Sequence, residues 1–184
     1  MSDFAYKLQV MKRLTVLSSS LLLVSTCFAD WPFWRGDLAG SGTTSEAKVP
    51  TEWDKKKNVK WRVALPEPGN SSPVISGDRI FLTQPDTGKK RRGLLCLDRK
   101  TGKTLWEKSV KYEAKERTHR TNHFCSSSPA TDGERVIVAY GSAGIFCHSL
   151  DGRELWRRQL GTIDHVWGYG SSPLIHENLC IHYH

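Results

Sequence analysis

Two stretches of this 184-residue sequence collect side chains able to do chemistry: "KYEAKERTHRTNHFCS" (111–126) and "GTIDHVWGYG" (161–170). His119 and His123 are spaced H-x-x-x-H. On a helix that spacing would set both rings on one side, where they could share a zinc ion with a third ligand such as His165. The flanking residues show no helical period, so loop histidines are the expectation and no metal is assigned. Trp167 and Tyr169, in "WGYG", could stack a sugar or another flat ring; the competing reading is a Gly-rich turn whose aromatics fill space between packed units. His119, Arg120, His123, His165, Trp167 and Tyr169 are therefore the candidate ligand-binding rim, with Asn122 and Asp164 beside them. A serine nucleophile has no support. The pairs Ser71-Ser72, Ser127-Ser128 and Ser171-Ser172 each precede a proline, and a motif that recurs suits a backbone turn better than a unique reactive centre. No catalytic residue is assigned.

Loops that bind need a frame to hold them, and the frame is written as a repeat. Trp61 opens "WRVAL" and leads to Ser71-Ser72-Pro73; Trp106 opens "WEKSV" and leads to Ser127-Ser128-Pro129; Trp156 opens "WRRQL" and leads to Ser171-Ser172-Pro173. The prolines fall 56 and 44 residues apart, a period of solenoids and propellers. Each unit reads as four short strands, in the first near Pro73–Ile75, Arg79–Thr83, Leu94–Leu97 and Thr104–Lys108. The expected turns lie at "SGD", around Gly88 and Gly93, and at "KTGK". Gly102 and Gly152 can supply the positive φ a tight hairpin needs. Four-stranded antiparallel units of this size are propeller blades. The fold expected is all-β: a partial β-propeller of about two and a half blades (71–110, 127–160 and part of another at 171–184), with an isolated leading strand at Trp61. Trp61, Trp106 and Trp156 are read as structural, one large indole per unit locking an outer strand against its neighbour.

"LDRKTGKTLW" (97–106) and "HSLDGRELW" (148–156) resemble the blade signature of pyrroloquinoline-quinone-type β-propeller repeats, the second with one turn residue deleted and Asp151 inside the turn. "WPFWRGDLAGSG" (31–42) is similar to the leader found before such propellers. The resemblance implies that the loops joining an outer strand to the next blade's inner strand gather on one face, which would bring 111–126 and 161–170 together. It also raises an enzyme alternative, a quinone- and calcium-dependent alcohol or sugar dehydrogenase, which would need adjacent cysteines, clustered carboxylates and a catalytic Asp. The quinone and Ca2+ belong to that alternative only. The chain carries two full blades and the beginning of a third, so it is read as a truncated member of a longer protein.

Residues 11–29, "MKRLTVLSSSLLLVSTCFA", pair Lys12 and Arg13 with an apolar run and a small-residue end, the pattern of a secretory signal helix spanning 1–29 with Met11 as the true start. A leader (30–57) follows, then the propeller segment (58–184). Export, to periplasm, envelope or medium, permits disulfides. Cys96, Cys125, Cys147 and Cys180 nevertheless sit mostly in strand-like runs and are expected as free thiols. The net charge is +8, or +6 once residues 1–29 are removed, and the remaining charge sits in Lys55–Lys57, Lys89–Arg92 and Arg157-Arg158, clusters that alternate with apolar runs as solvated turns do, so no nucleic-acid partner is expected. No stable membrane span is expected once the signal is removed. The function expected is a binding or protein-interaction scaffold at the cell envelope, with carbohydrate binding through the aromatic rim as a further alternative.

Overall fold

A computed structural model describes residues 31–45 and 48–184; the expected signal segment 1–29 lies outside them. Two four-stranded antiparallel sheets and one two-stranded sheet follow each other along the chain. The first holds β1 (Val74–Ser76), β2 (Arg79–Asp86), β3 (Arg91–Asp98) and β4 (Thr104–Lys111). The second holds β5 (Ala130–Thr131), β6 (Arg135–Ala139), β7 (Ile145–Ser149) and β8 (Glu154–Arg158). The third pairs β9 (Leu174–His176) with β10 (Leu179–Ile181). Strands in each sheet are ordered as in sequence, the meander of a propeller blade. Among the described residues the only helical turn is a 3-10 turn at Gly141–Ala143. The architecture is the all-β partial propeller that the repeat implies.

The sheets stack face to face, and the residue pattern shows why. In β6, "RVIVA" is apolar at consecutive positions because both faces are covered. Val136 and Val138 join Val74, Phe81, Leu94, Cys96, Tyr140 and Phe146 in a core between the first two sheets. Ile137 and Ala139 join Ile145, Cys147 and Ile175 in a second core toward β9–β10. The outer strands β4 and β8 are largely exposed and correspondingly rich in charge. The leader crosses the inner strands: Trp31 and Ile75 exchange both backbone bonds (3.1 and 2.9 Å), and Pro32 accepts from the Thr131 amide at 3.0 Å. Phe33 is buried in the second core.

Three expectations change in detail. Strands β2 and β3 run further than the sequence suggests, because Gly93 is no turn; it pairs with Gln84 and Ser109 in mid-sheet. A Cβ there would stand 3.3 Å from the Gln84 carbonyl oxygen and 3.4 Å from that of Lys108, so close approach of backbone is what the glycine permits. Pro85 fits in β2 because β1 pairs only with Arg79–Phe81, leaving an open edge beyond. The segment from Trp61 to Leu65 is irregular and forms no ladder.

Candidate functional site

The blade-to-blade joints come first, since they fix where the loops stand. Asp98 organises the turn after β3: its carboxylate accepts from the Thr101 amide (2.7 Å) and hydroxyl (2.6 Å), which holds its pKa below the usual carboxylate range. The Gly102 amide closes on the Asp98 carbonyl at 2.8 Å with φ +73. Trp61 lies over that glycine and donates its indole N–H to the Arg99 carbonyl at 3.0 Å. The arrangement recurs one sheet on. Ser149 takes the place of Asp98 in a turn one residue shorter, and Gly152 has φ +87. Trp106 covers Gly152 and donates to the Leu150 carbonyl at 3.0 Å. Trp156 packs at the edge of the second core. Trp61 and Trp106 thus each seat on the hairpin of the following unit.

The Ser-Ser-Pro motifs form a second joint on the inner side. The Ser72 amide donates to Ser128 Oγ and the Ser128 amide to Ser172 Oγ, both at 2.9 Å. The motif expected as a backbone turn is therefore a cross-sheet ladder instead: residues 71–73 and 171–173 lie outside any turn, and their serines bond from sheet to sheet. Buried Thr83 adds a link, its hydroxyl shared between the carbonyls of Ser127 (2.7 Å) and Cys125 (2.8 Å).

On this frame the two long loops meet. Arg117 pairs with Asp164 at 3.3 Å, both exposed. Asn122 donates its side-chain amide to the Trp167 carbonyl at 2.7 Å, and the His119 ring stands edge-on to Trp167 at 4.8 Å between centroids. His119 Nδ1 also bonds the Thr121 hydroxyl at 2.8 Å, in a tight turn closed by the His119–Asn122 bridge rather than a helix. Arg120 and His165 are exposed, Trp167 is 58% exposed, and His123 is half-buried. Tyr169 turns inward. Its hydroxyl donates to the Ser171 carbonyl and meets His182 Nε2 at 2.8 Å, and burial pushes its pKa well up. The rim's outward face is therefore made by Arg120, His165 and Trp167, with His119 half-buried against the indole, while Tyr169 serves packing.

A buried polar clamp beneath the rim has no counterpart among the sequence-based expectations. Arg92, expected among solvated charges, is 6% exposed on β3. Its guanidinium pairs with Glu116 at 2.5 Å, donates to the Tyr140 carbonyl at 2.6 Å, and lies between the rings of Tyr112 (4.7 Å) and Phe124 (4.5 Å). Glu116 Oε1 accepts from the Ser142 hydroxyl (2.7 Å) and amide (3.0 Å). One carboxylate thus ties the 112–126 loop to both sheets. "KYEAKER" looks like any solvated charge run, and only the neighbouring aromatics Tyr112 and Phe124 hint at cover.

Comparison with known proteins fits this frame. The family model described as outer membrane protein assembly factor BamB matches residues 39–179. The chain belongs to that family. Among solved structures, this BamB-type chain is similar to BamB from Moraxella catarrhalis (18% identity, TM-score 0.47, covering 67% of this chain and 33% of that one). It is also similar to quinohemoprotein alcohol dehydrogenase from Comamonas testosteroni (15% identity, TM-score 0.49, covering 80% and 22%). The BamB-type chain thus spans a third or less of the length of these two structures. No match is found among curated proteins.

Proposed function

We propose that this BamB-type chain is an exported propeller-repeat module whose rim binds a protein partner at the cell envelope. The reading is supported by the family description, by the signal-like segment at 11–29, and by the kind of surface the rim offers. The observation that carries it is the interlock of the two loops, in which Asn122 pins the Trp167 carbonyl and leaves the indole 58% exposed. The indole is held against His119, whose chain neighbour is the exposed Arg120. A fixed, exposed Trp and a nearby Arg are the residue types that dominate protein-binding energies, and a pinned loop leaves little freedom to be lost on binding. No helix of the described residues is long and apolar enough to cross a membrane.

The dehydrogenase alternative asks for residues this segment does not supply. The sequence has no adjacent cysteines, and among the described residues no three His, Cys, Asp or Glu side chains stand together as metal ligands. The protein reading is tested by placing a photocrosslinking residue at position 167 in the exported protein. One envelope protein should be captured, with at least a tenfold lower yield when Arg120→Ala or Asn122→Ala is added. Crosslinks unaffected by either change, glycan-array binding lost on Trp167→Ala, or dye-reducing turnover on adding quinone and calcium would overturn it.

A further inference from the structure

The described residues include two unmatched halves of a sheet. The third sheet has only β9 and β10, the inner pair, and β10 has no partner strand on its outer side. An outer pair precedes β1. Residues 54–57 form a hairpin turn of the kind that joins the last two strands of each complete sheet. The Asp54 amide donates to the Lys57 carbonyl at 3.1 Å, as that of Asp98 does to Lys103 (2.8 Å) and that of Ser149 to Arg153 (2.9 Å). The Asp54 carboxylate accepts from the Lys57 amide at 2.8 Å, as that of Asp98 does from Thr101. The arm leaving this turn is placed as a fourth strand. A Cβ on Gly102 would meet Trp61 and Val63, and one on Gly152 would meet Trp106 and Lys108, in both cases a Trp and the residue two further on. Yet neither arm, 49–53 or 58–65, joins a ladder. Both halves also expose apolar surface. The pairs Val74–Phe81 and Ala130–Ile137 are closed between sheets at 2% exposure or less, whereas the equivalent pair Leu174–Ile181 is 38% and 51% exposed. In the outer half Val49 is 54% and Trp53 70% exposed. Lone strand pairs are marginal in water, and open edges invite strand addition.

We propose that the chain pairs with a second copy of itself, the outer half 49–65 of one copy completing the sheet begun by β9 and β10 of the other. The number of sheets favours a twofold ring. Each copy brings two complete sheets and one half to each of two shared ones, so two copies make six. Six falls inside the roughly four to eight blades that close a propeller, and three copies would exceed it. The shared sheet then lies against the first sheet of the copy that supplies its outer half. Ile80, Leu82, Leu95 and Leu97 there form an apolar cluster separate from the core facing the second sheet, and they cover Leu174 and Ile181. Counted from the turn, Trp53 holds the place of Leu97 and His148, which pair with Ile80 and Val136. The third-sheet residue equivalent to Ile80 and Val136 is Cys180, so Trp53 of one copy stands across from Cys180 of the other. None of these residues belongs to the rim, and the pairing stands apart from the rim reading.

Light scattering on the full chain across a dilution series tests the pairing, and twice the chain mass is expected at high concentration. Ile181→Asp, a change at an exposed position of the single chain, should weaken the dimer about tenfold or more while leaving the far-UV spectrum unchanged. Trp53→Cys should crosslink two chains through Cys180 under mild oxidation, and the crosslink should vanish when Cys180→Ser is added. Arg120→Ala on the rim should leave the mass unchanged, which separates this result from the rim's. A single-chain mass at every concentration, a dimer that Ile181→Asp leaves intact, or Trp53→Cys chains that fail to crosslink would overturn the proposal.

Discussion

Gly102 and Gly152 show how a repeat is enforced by single atoms. A Cβ on Gly102 would fall 2.6 Å from the Trp61 ring, and one on Gly152 would fall 2.9 Å from that of Trp106; both glycines also have positive φ. Gly102→Ala should therefore cost about 2–4 kcal/mol, the sum of overpacking and backbone strain. Gly77→Ala has positive φ but open space around it and should cost only about 1–2 kcal/mol. The gap between the two urea midpoints measures the indole contact. Truncating the indole itself, Trp106→Ala, should lose about 3–5 kcal/mol in the same experiment. The cysteines carry a different expectation. All of Cys96, Cys125, Cys147 and Cys180 are free thiols, and burial raises the pKa of Cys96 to about 11 and of Cys125 and Cys147 to about 12. Iodoacetamide at pH 8 should leave those three unmodified in the native protein and label them in urea, read by mass spectrometry.

At the scale of elements, the clamp of Arg92 and Glu116 holds a loop that no ladder holds. Removing the cation with Arg92→Ala strands a buried carboxylate and should cost about 3–5 kcal/mol. Glu116→Gln keeps an acceptor for Ser142 and should cost less, while both changes should speed amide exchange across 112–126. This clamp was illegible in the sequence because burial of a charge depends on partners far along the chain, here residues 92, 116 and 140–142. The joints, by contrast, were legible: a Trp closes each unit four residues after the hairpin Gly (Gly102 and Trp106, Gly152 and Trp156), and Trp61 and Trp106 each meet the Gly of the following hairpin. Strand lengths were half legible. Pro85 and Gly93 carry the chemistry of breakers, yet an open edge excuses the proline and crowded carbonyls demand the glycine. Of the rim, the meeting of the two loops could be read from propeller geometry, whereas the inward turn of Tyr169 could not, since it depends on His182.

Across the whole molecule, two half-buried or buried imidazoles set a pH dependence. Burial lowers the pKa of His148 and of His182 below the ordinary 6.5. Between the lowered folded value and 6.5 the unfolded chain binds more protons than the folded one, so stability rises with pH and is lost as pH falls below about 6.5. Urea titrations from pH 7.5 to 5 should show that decline, and His148→Gln should flatten it. The serine ladder has a wider consequence. Successive Ser-Ser-Pro motifs are 56 and then 44 residues apart, yet both rungs measure 2.9 Å. The angle between neighbouring sheets is thus dictated by contacts reaching sideways, and the intervening chain is relieved of any metric duty. Such a design lets the connecting segments lengthen, shorten and acquire new recognition chemistry while the scaffold beneath keeps its pitch.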